Sequence, residues 1–306
     1  MSADRVTKDN GYSKFEPDKT QEKLPSYLSS VNGKFIFDPK KVIEGGAGEY
    51  DAVWDFGTGK DRLRREVPPS ERITSNKDDI KYLCFEDPSI RVNMAKITEI
   101  ANDPGRSPDD PADRKKYREH LGEVYKKLAH EVKEKLRGEK ALFFSPKNGG
   151  IYVQDVFTRE GFPPKDFYDY RMSRVLAKDE DGREHLNVSA QFASGNPRIG
   201  DYRTFVVADD CLASDISCYA TLDLISSELR KKGTDPSEAR AIISVSAATQ
   251  RGLESLLSEK TKMKFGFGKI EAVAAMPVYK MTDKFYLQEL DGRFTVGDMG
   301  KWTIRP

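Results

Sequence analysis

The stretch FVVADDCLASDIS, residues 205–217, decides how the chain is read. Its apolar start shows no polar alternation, the pattern of a strand buried on both faces. The run stops at two adjacent carboxylates, Asp209 and Asp210, crosses small and polar residues, and enters ISCYATLDLISSELRKKG (216–233). Tyr219, Leu222, Leu224 and Ile225 give that segment an apolar face, and basic residues with Gly233 close it, so it reads as a helix. The same texture repeats on either side. ALFFS (141–145), FYDYRM (167–172), AIISVSAA (241–248) and AVAAMPVY (272–279) read as strands, and TQRGLESLLSE (249–259) as a helix. Strands alternating with helices predict an α/β fold: a mainly parallel sheet with helices on both faces. In such sheets ligands sit where the loops converge, at the carboxyl ends of the strands.

Upstream, the Pro/Asp-rich loop NDPGRSPDDPADR (102–114) precedes a long amphipathic pattern over about 113–137, in which Leu121, Val124, Leu128, Val132 and Leu136 form one apolar stripe. His120 and His130 lie on it with no Cys or second His at ligand spacing, which favours packing or surface roles over metal binding. The first 85 or so residues are polar and rich in turn formers, with one candidate strand in NGKFIFDP (32–39). Gly-Gly-Ala-Gly at 45–48 lacks the Lys-Ser/Thr and the following helix of a phosphate-binding loop. The expected organisation is an N-terminal extension over 1–90, packed on the main body or on a partner, and an α/β domain over 91–306 with its core in 139–306.

The 306 residues carry 51 basic and 50 acidic side chains, a net charge of +1, so no global field recruits nucleic acid or an anionic membrane. No apolar run approaches the roughly 18 to 20 residues that span a bilayer. The opening MSADRVTKDNGYSKFEPDK lacks the apolar region of a secretory signal. Cys84, Cys211 and Cys218 follow neither a disulfide nor a metal-site spacing, and a reducing cytoplasm is the expected location.

Chemistry gathers at four strand ends. Pro146-Lys147-Asn148-Gly149-Gly150 follows the first, and Arg171 the second. Asp209 and Asp210 follow the third, with the turn Ala213-Ser214-Asp215-Ile216-Ser217, and Thr249-Gln250-Arg251-Gly252 the fourth. Together these suit a polyphosphorylated sugar. The cations and backbone N–H groups take phosphates, the carboxylates take ribose hydroxyls, and Mg²⁺ bridges oxygens. The bland alternatives are a solvated strand end for the aspartates and ordinary surface cations for Lys147 and Arg171. Cys211 lies beside the carboxylates without a histidine to activate it, so it is not read as a catalytic thiolate.

These residues resemble the signature of type I phosphoribosyltransferases: four apolar residues, two acidic ones, then a small-residue phosphate loop. The nearest resemblance within that group is to uracil phosphoribosyltransferases. Their loop Asp-Pro-Met-Leu-Ala-Thr-Gly-Gly-Ser is met here by Asp209 to Ser217, and their Ala-Ala-Pro-Glu-Gly by Ala247-Ala248-Thr249-Gln250-Arg251-Gly252 with one residue inserted. Their Arg-Ala-Gly pyrophosphate loop corresponds to Lys147-Asn148-Gly149, the following Tyr-Arg to Tyr170-Arg171, and their base-binding segment to Gly297-Asp298-Met299-Gly300-Lys301-Trp302. The order holds over about 139–306 and leaves 1–90 uncovered.

The resemblance implies a homodimeric, Mg²⁺-dependent pentosyltransferase that moves phosphoribose from phosphoribosyl pyrophosphate to a pyrimidine-like nucleobase or related acceptor. Asp209, Asp210, Lys147 and Arg171 would be catalytic, with the two aspartates holding Mg²⁺ indirectly through ribose hydroxyls or water. Asn148, Gly149, Ala213, Ser214, Asp215 and Ser217 would bind the sugar phosphates. Val296, Gly297, Asp298, Met299 and Gly300 would present the acceptor, with Asp298 open to a simple turn role and Trp302 to either packing or base stacking. His185 would lie on the hairpin-like excursion that covers the site.

Two departures stand out. Asp215-Ile216 replaces the family's Gly-Gly in the phosphate loop, and Lys301-Trp302 replaces Asp-Arg. A carboxylate at 215 competes for the N–H groups a phosphate would use and repels it. Two alternatives follow: ribosyl transfer on a sugar lacking the normal 5′-phosphate, or a non-catalytic nucleotide-binding or regulatory protein on this fold.

Overall fold

The computed structural model describes residues 28–31, 34–37, 79–85, 87–147, 150–178, 184–193, 197–212, 216–278, 280–281, 287–288, 295–296 and 299–303. In chain order the elements are β1 (Leu28–Val31), β2 (Lys34–Phe37), β3 (Ile80–Tyr82), α1 (Pro88–Asn102), α2 (Pro111–Leu136), β4 (Ala141–Pro146), α3 (Gly150–Arg159), β5 (Phe167–Lys178) and β6 (Glu184–Phe192). They continue with β7 (Thr204–Leu212), α4 (Ile216–Lys231), β8 (Arg240–Thr249), α5 (Gln250–Leu256), α6 (Glu259–Phe265) and β9 (Lys269–Val278). The short β10 (Lys280–Met281), β11 (Leu287–Gln288), β12 (Thr295–Val296) and α7 (Met299–Thr303) complete the chain.

Nine strands form one sheet in the order β1-β2-β6-β5-β4-β7-β8-β9-β3. From β5 across to β3 every neighbouring pair is parallel. Antiparallel β6, β2 and β1 extend the β5 edge. The expected mainly parallel sheet with helices on both faces is what forms. Residues 28–82 supply strands to both edges of this sheet, so the described part of the 1–90 stretch is built into the main body. His185 lies on β6, opposite Ala177 of β5 in an antiparallel hairpin.

Local chemistry sets the helix ends. Asp110 caps α2 by accepting the N–H of Ala112 at 2.7 Å, and Pro111 supplies a first-turn residue with no N–H to satisfy. Asp87 and Pro88 start α1 in the same way. The helical pattern over 249–259 divides into two helices: the Ser258 hydroxyl accepts the N–H of Thr261 at 3.2 Å and starts a second one. Gly266, at φ 79°, then ends α6 in the left-handed conformation that glycine adopts without strain.

Two apolar cores flank the sheet. On one side Leu121, Val124, Leu128 and Val132 of α2 bury against Val206, Ala208, Ile242 and Val273. On the other, Tyr219, Leu222, Ile225 and Leu229 of α4 bury against Phe205, Val207, Ile243 and Ala272. Thr204 to Asp209 of β7 are all buried, because this strand has helices on both faces and a parallel neighbour on each side.

At the amino ends of the strands Glu271, 4% exposed, is surrounded by cations: Lys135 at 3.0 Å, Lys269 at 3.2 Å and Arg240 at 3.4 Å. Arg240 also donates to the Lys135 carbonyl at 2.9 Å, tying the end of α2 to β8. Burial works against the Glu271 charge, but the bonds from Lys135 and Lys269 outweigh it and hold the carboxyl below its ordinary range. A carboxyl lowered by folding stabilises above its unfolded pKa and loses that contribution as pH falls through the folded value. Glu271→Gln is therefore expected to cost about 3 kcal/mol in urea unfolding at pH 7, the usual scale for breaking a buried pair. The gap between wild type and variant should close as pH falls below the ordinary carboxylate range; a gap independent of pH would show that charge is not what the site uses.

Candidate functional site at the carboxyl edge of the sheet

The carboxylate pair lies where β7 changes its facing. Val206, Ala208 and Cys211 meet the α1–α3 side, while Phe205, Val207 and Leu212 meet the α4 side, so the alternation slips by one across Asp209–Asp210. The β7–β8 pairing passes from Asp209↔Val245 to Cys211↔Ala247, and the Ser246 hydroxyl donates to the Asp210 carbonyl. Each carboxylate folds onto the next amide: Asp210 N–H donates to Asp209 Oδ1 at 2.8 Å, and Cys211 N–H to Asp210 Oδ1 at 3.0 Å. Asp209 is 6% exposed and Asp210 half-buried. A freely solvated strand end does not describe them.

Three buried tyrosines lie within reach of the pair's charge. Burial, and then the Asp210 charge, push the phenols of Tyr117 and Tyr125 on α2 well above their ordinary value. Burial, and then Asp209, do the same to Tyr170 on β5. Neutral phenols next to two carboxylates leave the negative potential of the edge intact.

The register sets Pro146 of β4 beside Tyr170 of β5, and the Lys147 N–H continues the pairing by donating to the Tyr170 carbonyl at 2.9 Å. Lys147, just past β4, has an exposed side chain; Arg171 does not follow a strand end as expected but lies within β5, which runs on to Lys178, and is paired with Gln191 with its side chain exposed. Gly150 is required here, because a Cβ would lie 2.5 Å from Ser145 Cβ. Sequence reading missed Asp169. It pairs in register with Ser145, and its carboxyl is raised by burial, against which the Lys147 charge acts. The available signal was the alternation Phe167-Asp169-Arg171, which turns a charge toward the side where Phe167 is core.

The C-terminal segment reaches the same edge through packing. Met299, 1% exposed, lies against the Ser246 hydroxyl with its sulfur 3.6 Å away. Trp302 stacks on Tyr117 with centroids 4.9 Å apart and planes 15° apart. Arg118 donates to the carbonyls of Trp302 at 3.3 Å and Thr303 at 2.8 Å. Of the two roles open to Trp302, packing is the one observed, and the Met299 side chain is likewise core. Ser217 opens α4, and its carbonyl accepts the Thr221 hydroxyl at 2.8 Å. Val296 lies in β12 opposite Leu287, Gly300 in α7 and Arg251 in α5. Asn148, Gly149, Ala213, Ser214, Asp215, Gly297 and Asp298 lie outside the described residues.

Among the described residues no group of three or more His, Cys, Asp or Glu side chains could cage a metal ion. No helix among them is long and apolar enough to cross a membrane. His120 Nδ1 lies 2.9 Å from Asn93 Oδ1, and His130 is exposed, in keeping with packing and surface roles. An open groove of about 930 Å³ over α2 and α3 is lined by Arg114, Lys115, Arg118, Lys126 and Arg159, but also by Glu119, Glu123 and Glu160. Its cations are interspersed with carboxylates and neither aspartate of the pair lines it, so the sheet edge is the better candidate.

No protein-family model matches the chain, and no curated protein matches it. Solved structures do resemble it. Adenine phosphoribosyltransferase from Trypanosoma brucei, in complex with AMP, pyrophosphate and ribose-5-phosphate, is 12% identical over 65% of this chain and 84% of its own, with a TM-score of 0.39. The APRTase of Giardia lamblia, complexed with 9-deazaadenine, is 13% identical over 60% and 97%, at 0.30. A hypothetical protein from Neisseria gonorrhoeae with bound ppGpp is 14% identical over 52% and 80%, at 0.33. At these TM-scores the likeness is distant, and function is read from the residues of the edge.

If Trp302 is core, Trp302→Ala should lower stability by about 3 kcal/mol, as large-to-small aromatic changes do. On the scale of a domain of about 200 residues that is a fall in Tm of roughly 6 to 12 °C. A loss under about 1 kcal/mol would mean that the ring is not held by Tyr117.

Proposed function

We propose that the protein transfers a phosphoribosyl group from phosphoribosyl pyrophosphate to a nucleobase-like acceptor. The observation that carries this reading is a two-sided buried strand with a carboxylate pair near its carboxyl end, a cation just past the neighbouring β4 and another level with it on β5. Asp209 and Asp210 would hold the 2′ and 3′ hydroxyls of the ribose. Each already uses Oδ1 on a backbone amide, which fixes the orientation of the carboxyl before a ligand arrives. Lys147 and Arg171 would meet the departing pyrophosphate, whose growing charge they stabilise without a strong base being needed. The loop residues Asn148, Gly149, Ala213, Ser214 and Ser217 would cradle the phosphates. The backbone around Val296–Lys301, including Gly297, Asp298 and Gly300, would present the acceptor.

Mg²⁺ fits this donor set as an ion that keeps several waters and is reached through one or two carboxylates and substrate oxygens. When bound it would supply charge neutralisation of the pyrophosphate. The preference for a pyrimidine-like acceptor rests on the sequence resemblance alone. A cytoplasmic homodimer is part of the same proposal.

Calorimetric titration of phosphoribosyl pyrophosphate with Mg²⁺ tests the reading. Wild type should bind, and Asp210→Asn should weaken binding about 10- to 100-fold, the worth of a hydrogen bond to a charged group. Binding absent from wild type and restored by Asp215→Gly would turn the assignment to a sugar without the 5′-phosphate. Absence of binding in both would leave a non-catalytic protein on this fold.

A further inference from the structure

Among the described residues, Asp169 is a carboxylate of the edge that the proposed transfer leaves unused. Its Oδ1 is buried and accepts no hydrogen bond among the described residues. Ser145 Oγ, in register on the neighbouring strand, is also buried without a partner. Residues in register on parallel neighbours project to the same side of a sheet, so these two buried polar atoms lie on one face of it, at the end of β4 that Lys147 follows. An ionised carboxylate oxygen in that position forfeits part of its hydration. Asp169 as a whole is only half-buried, so its carboxyl spans the interior and the open edge.

The charged surroundings are sparse. Lys147 is the cation whose field reaches Asp169. Arg171 follows two residues on along β5 and is exposed. Asp166, three residues before, is turned away and accepts the Tyr202 hydroxyl at 2.9 Å. Tyr170 belongs to the opposite core. A phosphate that draws Lys147 toward itself therefore removes the one compensating charge and brings a second anion beside a half-buried carboxyl.

We propose that Asp169 makes this edge selective for protonated phosphate ligands: a pyrophosphate held by Lys147 binds together with one proton that it shares with the Asp169 carboxyl. The inference rests on the phosphoribosyl transfer reading for the position of the anion and goes beyond it in specifying the ionic form. In the proposed reaction the acceptor nitrogen's lone pair would form the C1–N bond as the C1–O bond breaks, its electron pair leaving on pyrophosphate; pyrophosphate would depart carrying the shared proton, and the acceptor's N–H proton would go to solvent.

Inorganic pyrophosphate titrated calorimetrically into wild type and Asp169→Asn, in two buffers of different ionisation enthalpy between pH 5.5 and 8, counts the protons taken up. Protonation of free pyrophosphate is common to both proteins and cancels in the difference. Wild type should take up more protons than the variant. Its affinity should fall with rising pH, so that at pH 8 Asp169→Asn binds about tenfold tighter, the equivalent of one pKa unit, and at pH 5.5 the two converge. Should the variant fold poorly, ¹³C-carboxyl titration of wild type gives the same test, with the Asp169 midpoint moving up when pyrophosphate is added. Equal proton uptake, or an unmoved midpoint, overturns this inference and leaves the transfer reading standing. Proton-linked pyrophosphate binding without any binding of phosphoribosyl pyrophosphate overturns the transfer reading instead. No pyrophosphate binding at any pH overturns both.

Discussion

The structure turns on how β7 stops being buried. A strand with helices on both faces and parallel partners at both edges leaves little place for charge. Asp209 and Asp210 lie near its carboxyl end, with Cys211 and Leu212 still paired to β8, and the side-chain alternation slips there and nowhere earlier along the strand. The slip is satisfied locally: two carboxylates accept consecutive amides, and Ser246 covers the Asp210 carbonyl. Because Ser246 also meets Met299, the same adjustment fixes where the C-terminal segment lands.

The two ends of the sheet treat charge in opposite ways. At the amino end, Glu271 is enclosed by Lys135, Lys269 and Arg240, and Arg240 also reaches Glu139 at 3.1 Å. Those charges satisfy one another, and their effect is stability. At the carboxyl end, Lys147 and Arg171 are exposed, three buried phenols stay neutral, and the carboxyl of Asp169 is raised by its burial. Polar groups held in unfavourable surroundings by a rigid frame are the arrangement expected of a site, since a ligand can relieve what the fold leaves unsatisfied.

Much of this frame was legible. The parallel core strands, α2 and α4 announce themselves because buried strands and amphipathic helices write their period into the chain. The expected strand at 167–172 is longer, Phe167–Lys178, because β6 continues its pairing as a hairpin. α1 went unread despite its Asp87-Pro88 start and the buried Ile90, Met94 and Ile97, since it adjoins the polar region. α3 went unread because its glycine start looks like more loop; the close approach of Gly150 to Ser145 exists only in three dimensions. Of the site, the paired aspartates and the flanking cations were visible as residue types at strand ends. Asp169 was not, because a lone carboxylate inside a strand differs from a solvated one only by what surrounds it.

The C-terminal segment shows how a departure from a family pattern is to be weighed. Where uracil phosphoribosyltransferases carry Asp-Arg, this chain carries Lys301-Trp302. Read as ligand contacts, these residues imply a different acceptor. The ring of Trp302 is instead stacked on Tyr117, and Arg118 holds the carbonyls of Trp302 and Thr303. The segment is thus anchored by an aromatic pair and an arginine on α2. Met299 is core as well, with its sulfur against the Ser246 hydroxyl. What Trp302 and Met299 set first is the strength with which the segment is held against the sheet edge.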